Sequence, residues 1–233
     1  LFFTGRYYID SCKNKVLDNG IITDITCAVM CGSCSNRNSK QNYRYNVTIS
    51  GKYKSEHRID NSSTIIKITD KAVSMLDKNK DNVVFGSPRF GSDPMGLHFG
   101  VFGLSVKNLM IYTNGAENRI VAIDGAGSSE FGVENCDIWS VPSTADLHFD
   151  TITIPDGSIG IRGNHGSCWG VRQYLKSNRI VGFKEGIALL GEHYIVQDNL
   201  QHHCYYGFTV GNYPVREAME HPNIFIGNSV EQC

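Results

Sequence analysis

The sequence has little charge, little proline and no long apolar run. Charged residues make up 19% of its 233 residues, and 22 basic side chains nearly balance 23 acidic ones to a net charge of -1. This balance argues against a non-specific nucleic-acid-binding protein, whose surface is strongly basic. No run reaches the ~18 apolar residues that a membrane-spanning helix needs. A hydrophobic content of 41% is too high for a disordered chain, so we expect one globular domain.

Helical periodicity is also nearly absent. The apolar runs are short, rich in Ile, Val, Phe and Tyr, and separated by Gly, Asn and Asp. This pattern is typical of many short strands. The main helical candidate is residues 68–76.

The sequence repeats itself with a variable step. Asn178 and Asn199 stand 21 residues apart, and each is followed eight positions later by a glycine and an apolar-x-apolar triplet. Asn228 starts the unit again 29 residues on, and Asn108 and Asn135 upstream stand 27 apart. A fixed local pattern with a variable step predicts a solenoid whose loops differ in length.

The fold predicted from these repeats is an all-β, single right-handed parallel β-helix, with three strands and three turns in each coil. Asn tolerates the left-handed conformation of a sharp turn, so we place the five repeat asparagines in the turn before the third strand. The 43-residue step from Asn135 to Asn178 is either one coil with a long insertion or two coils. The predicted third strands are 109–113, 136–141, 179–183, 200–205 and 229–233, and the predicted first strands are 120–124, 147–154, 187–190 and 208–210.

Eight cysteines allow several arrangements. Cys12, Cys27, Cys31 and Cys34 crowd together, and their spacing is compatible with a structural zinc site, with disulfides or with free thiols. Cys204 and Cys233 both lie five residues after a turn asparagine, as Phe183 does, so these side chains should stack at the ~4.8 Å strand spacing. We interpret Cys204 and Cys233 as buried thiols in a stack; the distance would allow a disulfide between them, but parallel side-chain vectors disfavour it.

Three stretches carry a resemblance to a known family. Residues 1–10, residues 46–51 with 63–67, and residues 106–111 resemble the first coils of pectin-lyase-like (pectate lyase superfamily) parallel β-helices. Phage tailspikes and secreted polysaccharide-degrading enzymes have this fold. The resemblance implies a polysaccharide ligand, an extracellular or virion location and, for tailspikes, a homotrimer.

The predicted domain spans residues 1–233 and is expected to be a piece of a longer chain. Residues 1–100 form an irregular N-terminal part with an inserted loop at 27–46, and residues 101–233 form regular coils. A β-helix has open ends, so we expect either a homotrimer or a further domain to cap them.

The densest group of acid–base residues is Asp146, His148 and Asp150. Their i, i+2, i+4 spacing puts all three on one face of a strand. Asp124 on an adjacent coil would lie ~4.8 Å from this face, near the roughly 5–5.5 Å carboxyl separation of retaining glycosidases. We therefore predict these four residues as catalytic; the alternative is a solvated strand face. Asp146 with Asp150 is also a weak candidate calcium site.

Further residues are predicted to bind the substrate: Glu130, Glu192, His193, Trp169 and Tyr213. Trp139, Tyr205 and Tyr206 either stack on sugars or fill the core. The adjacent His202 and His203 should point to opposite faces of a strand. Apart from the zinc and calcium alternatives, no cofactor is expected.

The function predicted from these features is binding and cleavage of a polysaccharide, by a hydrolase or a lyase reaction. The alternative is a non-catalytic structural or receptor-binding module of a virion fibre or an adhesin. No partner nucleic acid or membrane span is expected.

Overall fold

The computed structural model describes residues 5–18, 21–25, 27–30, 44–52, 64–86, 101–115, 119–126, 128, 130–141, 154–165, 173–190, 193–210 and 223–233. In these residues nearly every regular element is a strand, and the strands form three stacked parallel sheets. Successive strands along the chain enter the three sheets in turn, which makes the protein a parallel β-helix. The predicted fold class is therefore confirmed.

The strands fall into three sheets, here called the first, second and third in the order in which each coil visits them. The first sheet contains β4 (Cys27–Met30), β7 (Asn82–Gly86), β10 (Ile120–Asp124), β13 (Ile159–His165), β16 (Glu185–Leu190) and β19 (Tyr206–Val210). The second sheet contains β5 (Arg44–Ser50), β8 (Val101–Lys107), β11 (Phe131–Glu134), β14 (Gln173–Lys176), β17 (Tyr194–Gln197) and β20 (Ile224–Ile226).

The third sheet has one additional strand at its N-terminal edge. It contains β1 (Arg6–Ile9), β6 (Ile65–Ile68), β9 (Met110–Tyr112), β12 (Asp137–Trp139), β15 (Arg179–Val181), β18 (Leu200–His202) and β21 (Ser229–Glu231). A separate antiparallel hairpin joins β2 (Asn14–Asp18) to β3 (Ile21–Ile25). From β4 onward, each set of three strands makes one coil.

The long step in the repeat is one coil with an insertion. Strand β12 pairs directly with β15, with Asp137 opposite Arg179, so no coil lies between them. The first strand of this coil is β13, which pairs with β10. The prediction of a first strand at 147–154 is therefore wrong. Alternating polar and apolar residues suggested a strand there, but residues 147–153 lie outside the described part of the chain.

The N-terminal part is more regular than predicted. Both ends of the segment interpreted as an inserted loop, 27–46, belong to the sheets: β4 pairs with β7, and β5 pairs with β8. The predicted helix is present as α1 (Asp70–Ser74). The Thr69 side chain caps it by accepting a hydrogen bond from the Ala72 amide at 3.3 Å.

The core is built from alternating side chains. In the third sheet, the inward positions of successive coils are Ile66, Ile111, Ile138 and Ile180, all almost fully buried. The next coil has Gln201 at this position, opposite Ile180. Both polar atoms of the Gln201 amide are buried and have no hydrogen-bond partner among the described residues. A buried amide without partners lowers stability.

Replacing Gln201 by a near-isosteric apolar residue should therefore stabilise the protein. We expect Gln201→Met to raise the free energy of unfolding by about 1–3 kcal/mol, measured by urea denaturation. The control is Gln197→Met in the second sheet, because the Gln197 amide bonds to Asp198 at 2.9 Å and is only half-buried. An unchanged or lower urea midpoint in Gln201→Met would contradict this account.

The repeat asparagines occupy two neighbouring positions, not one. Asn108 and Asn135 have left-handed backbones, with φ of 57° and 53°, as predicted. In the later coils the left-handed residue precedes the asparagine: Ser177, Asp198 and Gly227 have φ between 53° and 62°. The structural counterpart of Asn135 is therefore Ser177, because Asp137 and Arg179 are paired.

Asn178, Asn199 and Asn228 form a ladder of side-chain hydrogen bonds from coil to coil. The Asn178 amide donates to Oδ1 of Asn199 at 2.9 Å, and the Asn199 amide donates to Oδ1 of Asn228 at 2.9 Å. Asn178 and Asn199 are 1% exposed. Because their backbones are not left-handed, their role is to satisfy buried polar groups.

The cysteine stack at the turn after the third sheet agrees with the prediction only in part. The Cys204 amide donates to Sγ of Cys233 at 3.3 Å and no disulfide joins them, but Cys233 is exposed and not buried as predicted. The described cysteines are Cys12, Cys27, Cys136, Cys204 and Cys233, and none forms a disulfide with another described residue. Cys204 is buried, and burial raises the pKa of its thiol from 9.0 to about 12.

This pKa predicts a loss of stability at alkaline pH. The folded state holds the Cys204 proton more tightly than the unfolded state, so the stabilisation is complete below pH 9 and is lost between pH 9 and about 12. In this window, Cys204→Ala should reduce the slope of unfolding free energy against pH by up to about 1.4 kcal/mol per pH unit. Cys233→Ala is the comparison variant: contact with the Cys233 thiol raises the pKa of Cys204 less than burial does, so this variant should keep most of the slope. Equal slopes in wild type and Cys204→Ala would refute the prediction.

Candidate functional site

A buried ion network crosses three coils next to the first sheet. Both nitrogens of the Arg162 fork bond to Asp124, Nε to Oδ1 at 3.1 Å and Nη2 to Oδ2 at 2.6 Å. The Arg162 Nη1 also bonds to Asp81, whose other oxygen pairs with Arg119 at 2.7 Å. Asp124 has no exposed surface. The neighbouring carboxylates Asp124 and Asp81 raise the pKa of Arg162, against the opposing effect of its burial, which keeps the cation charged.

Exposed aromatic rings lie at the other end of the first sheet, around the start of β19. Tyr205 is 55% exposed and Tyr206 is 50% exposed, and their ring centroids are 4.7 Å apart at an angle of 80°. The Lys184 Nζ lies 3.8 Å from the Tyr205 ring centroid. The Glu185 carboxylate accepts a hydrogen bond from the Thr209 hydroxyl. Lys184 thus lies over the Tyr205 ring, and Glu185 is paired with Tyr206 on the neighbouring strand. We call Lys184, Glu185, Tyr205, Tyr206 and Thr209 the tyrosine surface.

The second sheet carries another aromatic ring. Tyr174 covers Gly132, where an added Cβ would lie 2.3 Å from the ring. Its hydroxyl shares a 2.9 Å hydrogen bond with Ser105. Lys107 lies 5.5 Å from the ring centroid and bonds to Glu134 at 2.9 Å. The hydrogen bond to Glu134 raises the pKa of Lys107. Glycine at position 132 is thus required for the ring to lie flat on the sheet.

The third sheet carries a second cluster of buried apolar side chains. Ile65, Met110, Tyr112, Trp139, Val141 and Val181 form an apolar cluster separate from the main core. The Trp139 ring stacks with Tyr112 at 6.4 Å and lies under the Arg179 guanidinium, which forms a two-bond pair with Asp137. Burial raises the pKa of Tyr112 to about 12. Of the three aromatic residues left open by the sequence, Trp139 is buried, and Tyr205 and Tyr206 are exposed.

The residues predicted to be catalytic are only partly within the described structure. Asp146, His148 and Asp150 lie outside it, as do the predicted substrate-binding residues Glu192, Trp169 and Tyr213. Asp124 is buried in the ion network, where it holds Arg162.

The remaining predicted residues do not come together with Asp124. Glu130 precedes β11 and is half-buried, and its carbonyl accepts a hydrogen bond from the Leu104 amide at 2.8 Å. His193 precedes β17, is exposed and has a left-handed φ of 64°. The described structure therefore points to the tyrosine surface as the candidate site. The sequence indicates both tyrosines as candidates for stacking on sugars, but it does not predict the ion network beside Asp124.

The expected cation sites are also only partly described. Cys12 and Cys27 are buried, whereas Cys31 and Cys34 fall outside the described residues. Within the described ranges, no group of three or more His, Cys, Asp or Glu side chains is placed to hold a metal ion. Burial raises the pKa of Cys12 to about 12.

Comparison with protein-family models, with curated proteins and with solved structures finds no match. Among the described residues, no helix is long and apolar enough to cross a membrane. The class of the protein is thus defined by its fold, a parallel β-helix, and its function has to be argued from its surface.

Proposed function

We propose that the protein binds a polysaccharide on the outside of the β-helix, and that the tyrosine surface is part of the binding site. The single observation that carries this proposal is the pair of half-exposed rings, Tyr205 and Tyr206, set at 80° beside Lys184 and Glu185. Aromatic rings offer flat apolar faces to the C–H groups of a sugar, and adjacent charged groups bond to its hydroxyls. Large exposed rings on a rigid strand also lose little entropy on binding.

The proposal includes cleavage of the polysaccharide, with Asp146, His148 and Asp150 as the catalytic residues. These three residues bring two carboxyl groups and an imidazole, the groups that acid–base cleavage uses, within five positions of the chain, and the resemblance to pectin-lyase-like proteins supports a polysaccharide substrate. The involvement of Asp124 in the ion network argues against its acting as an acid or base, because a buried carboxylate paired with Arg162 cannot reach a substrate. The proposed location is extracellular or on a virion.

The second candidate is a non-catalytic module in a larger assembly. The last coil exposes Val210, Ile224, Phe225, Ile226 and Val230, each 44–51% accessible. Strands β19, β20 and β21 are each the last of their sheet in the described structure. Exposed apolar side chains and strand edges favour a covering partner, either a further domain or neighbouring copies in a homotrimer.

The test is a binding and cleavage screen on a panel of neutral and acidic polysaccharides. Binding is measured by affinity electrophoresis or calorimetry, and cleavage by new reducing ends and by the absorbance of unsaturated uronates. We expect Tyr205→Ala and Tyr206→Ala each to weaken binding at least about tenfold, which is about 1.4 kcal/mol. Tyr8→Ala is the control, because Tyr8 is 63% exposed at the opposite end of the solenoid.

Each outcome of this screen decides a separate part of the proposal. Binding that survives both tyrosine substitutions would rule out the tyrosine surface, and no binding to any polysaccharide would overturn the function. Cleavage that is lost in a variant with Asp146, His148 and Asp150 changed to Ala would identify an enzyme. Binding without cleavage would favour the non-catalytic module.

A further inference from the structure

Two adjacent histidine rings meet at the turn that follows β18. The rings of His202 and His203 stack with centroids 4.3 Å apart and planes inclined by 29°. Their Nδ1 atoms lie within hydrogen-bonding distance of each other. The prediction that these rings point to opposite faces is therefore wrong. His203 has a left-handed φ of 53°, which turns its side chain back toward His202.

The left-handed conformation is shared by the neighbouring coils at this position. The residues following the paired strand ends Val181, His202 and Glu231 are Gly182, His203 and Gln232, and all three have positive φ. Glycine adopts this conformation without strain, whereas histidine does so uncommonly. The fold thus imposes the turn, and the turn brings two imidazoles together.

The second nitrogen of His202 has its own partner. Its Nε2 lies 3.5 Å from the Glu231 carboxylate on the next coil. A carboxylate at this position favours the tautomer with the proton on Nε2, which leaves Nδ1 of His202 unprotonated and able to accept from Nδ1 of His203. An imidazole oriented by a carboxylate through its distal nitrogen is the usual arrangement of a metal-bound histidine.

We propose that Nδ1 of His202 and Nδ1 of His203 bind one divalent transition-metal ion that prefers imidazole, such as Ni²⁺, Zn²⁺ or Cu²⁺. With metal–nitrogen bonds of about 2.0–2.1 Å, the two nitrogens of one ion lie about 3 Å apart, so a small separation of the two rings makes room for the ion. The ion takes the place of the proton that the two nitrogens share, so binding releases a proton and strengthens as pH rises. Both side chains are only partly buried, so water can complete the coordination shell.

Binding of Ni²⁺ by isothermal titration calorimetry tests this site. The variants are His202→Gln and His203→Asn, since asparagine tolerates the left-handed turn. The control is His193→Gln, a single exposed histidine that also has a left-handed φ, of 64°. Glu231→Gln tests the orienting carboxylate. In a second readout, bound Ni²⁺ should protect both histidines from chemical carbethoxylation, and mass spectrometry locates the modified residues.

A chelate makes a non-additive prediction. We expect His202→Gln and His203→Asn each to lower the Ni²⁺ affinity of the same site at least tenfold. The double variant should lower this affinity no further. Glu231→Gln should weaken binding roughly 10-fold, in the range expected for a carboxylate that orients a ligand. His193→Gln should bind as the wild type does. The two histidines do not form a metal site if each single substitution removes only half of the bound Ni²⁺, or if neither substitution changes Ni²⁺ binding.

Discussion

Arg162→Met is expected to lower the free energy of unfolding by about 3–5 kcal/mol. The substitution removes both hydrogen bonds that the guanidinium makes to Asp124, at 3.1 and 2.6 Å. Asp124 has no exposed surface, so water cannot replace the lost donors. The amide of Ala126, at 2.9 Å from Asp124 Oδ1, would be the remaining described donor to a buried negative charge. Urea denaturation monitored by circular dichroism measures the loss.

Two further variants separate this effect from a general loss of charge. Arg119→Met removes one partner of Asp81, at 2.7 Å. Because Arg119 is 52% exposed, we expect the free energy of unfolding to fall by no more than about 1 kcal/mol. The double variant Arg162→Met with Asp124→Leu removes both buried charges and should recover much of the lost stability. If Arg162→Met costs no more than Arg119→Met, the network does not hold the three coils together.

Asn199→Ala is expected to cost about 3 kcal/mol, because one side chain serves three neighbours. Its Oδ1 accepts from the amide and side chain of Asn178, at 3.1 and 2.9 Å. Its Nδ2 donates to the Leu175 carbonyl at 2.8 Å and to Asn228 at 2.9 Å. Each buried group left without a partner costs about 1–3 kcal/mol. The same denaturation experiment measures this cost.

The conservative variant Asn199→Asp resolves the two halves of the side chain. It keeps the acceptor for Asn178 but replaces the donor to Leu175 and Asn228 by a buried carboxylate oxygen that faces two acceptors, so at neutral pH its cost should be at least that of Asn199→Ala. Asn79→Ala, at an exposed asparagine in a turn, should change stability by less than about 0.5 kcal/mol. A cost for Asn199→Ala as small as that for Asn79→Ala would show that the ladder does not stabilise the coils.

The asparagine repeat shows how far sequence spacing can be followed. It located the turn before the third sheet and predicted β10 with its observed bounds, Ile120–Asp124. It also aligned Asn135 with Asn178, although the counterpart of Asn135 is Ser177. Asparagine is suited both to a left-handed turn and to a buried hydrogen-bond ladder, and these roles fall on adjacent residues. Spacing alone cannot tell which role a given asparagine has.

The surface residues depended on contacts that have no sequence signal. Arg162 and Asp81 are 81 residues apart in the sequence, and no local sequence pattern predicts that they form an ion pair. His202 and His203 meet because a turn interrupts the alternation of a strand, so the rule that adjacent side chains diverge does not hold there. Trp139 and Tyr205 were equally suited to core and surface by composition, and only their place in the coils separated them.

The sequence by itself determined the all-β class, the coil repeat and the place of most strands after residue 108, because short alternating apolar runs and turn residues act locally. The tertiary structure decided which residues stack upon which. Paired residues of neighbouring coils lie between 21 and 59 positions apart in this chain. The exact offset is set by packing and by hydrogen bonds between coils, such as those joining Asn178 to Asn199 and Arg179 to Asp137. Partners, burial and the exposed tyrosine surface follow from that offset, which is why they could be recognised only in the folded molecule.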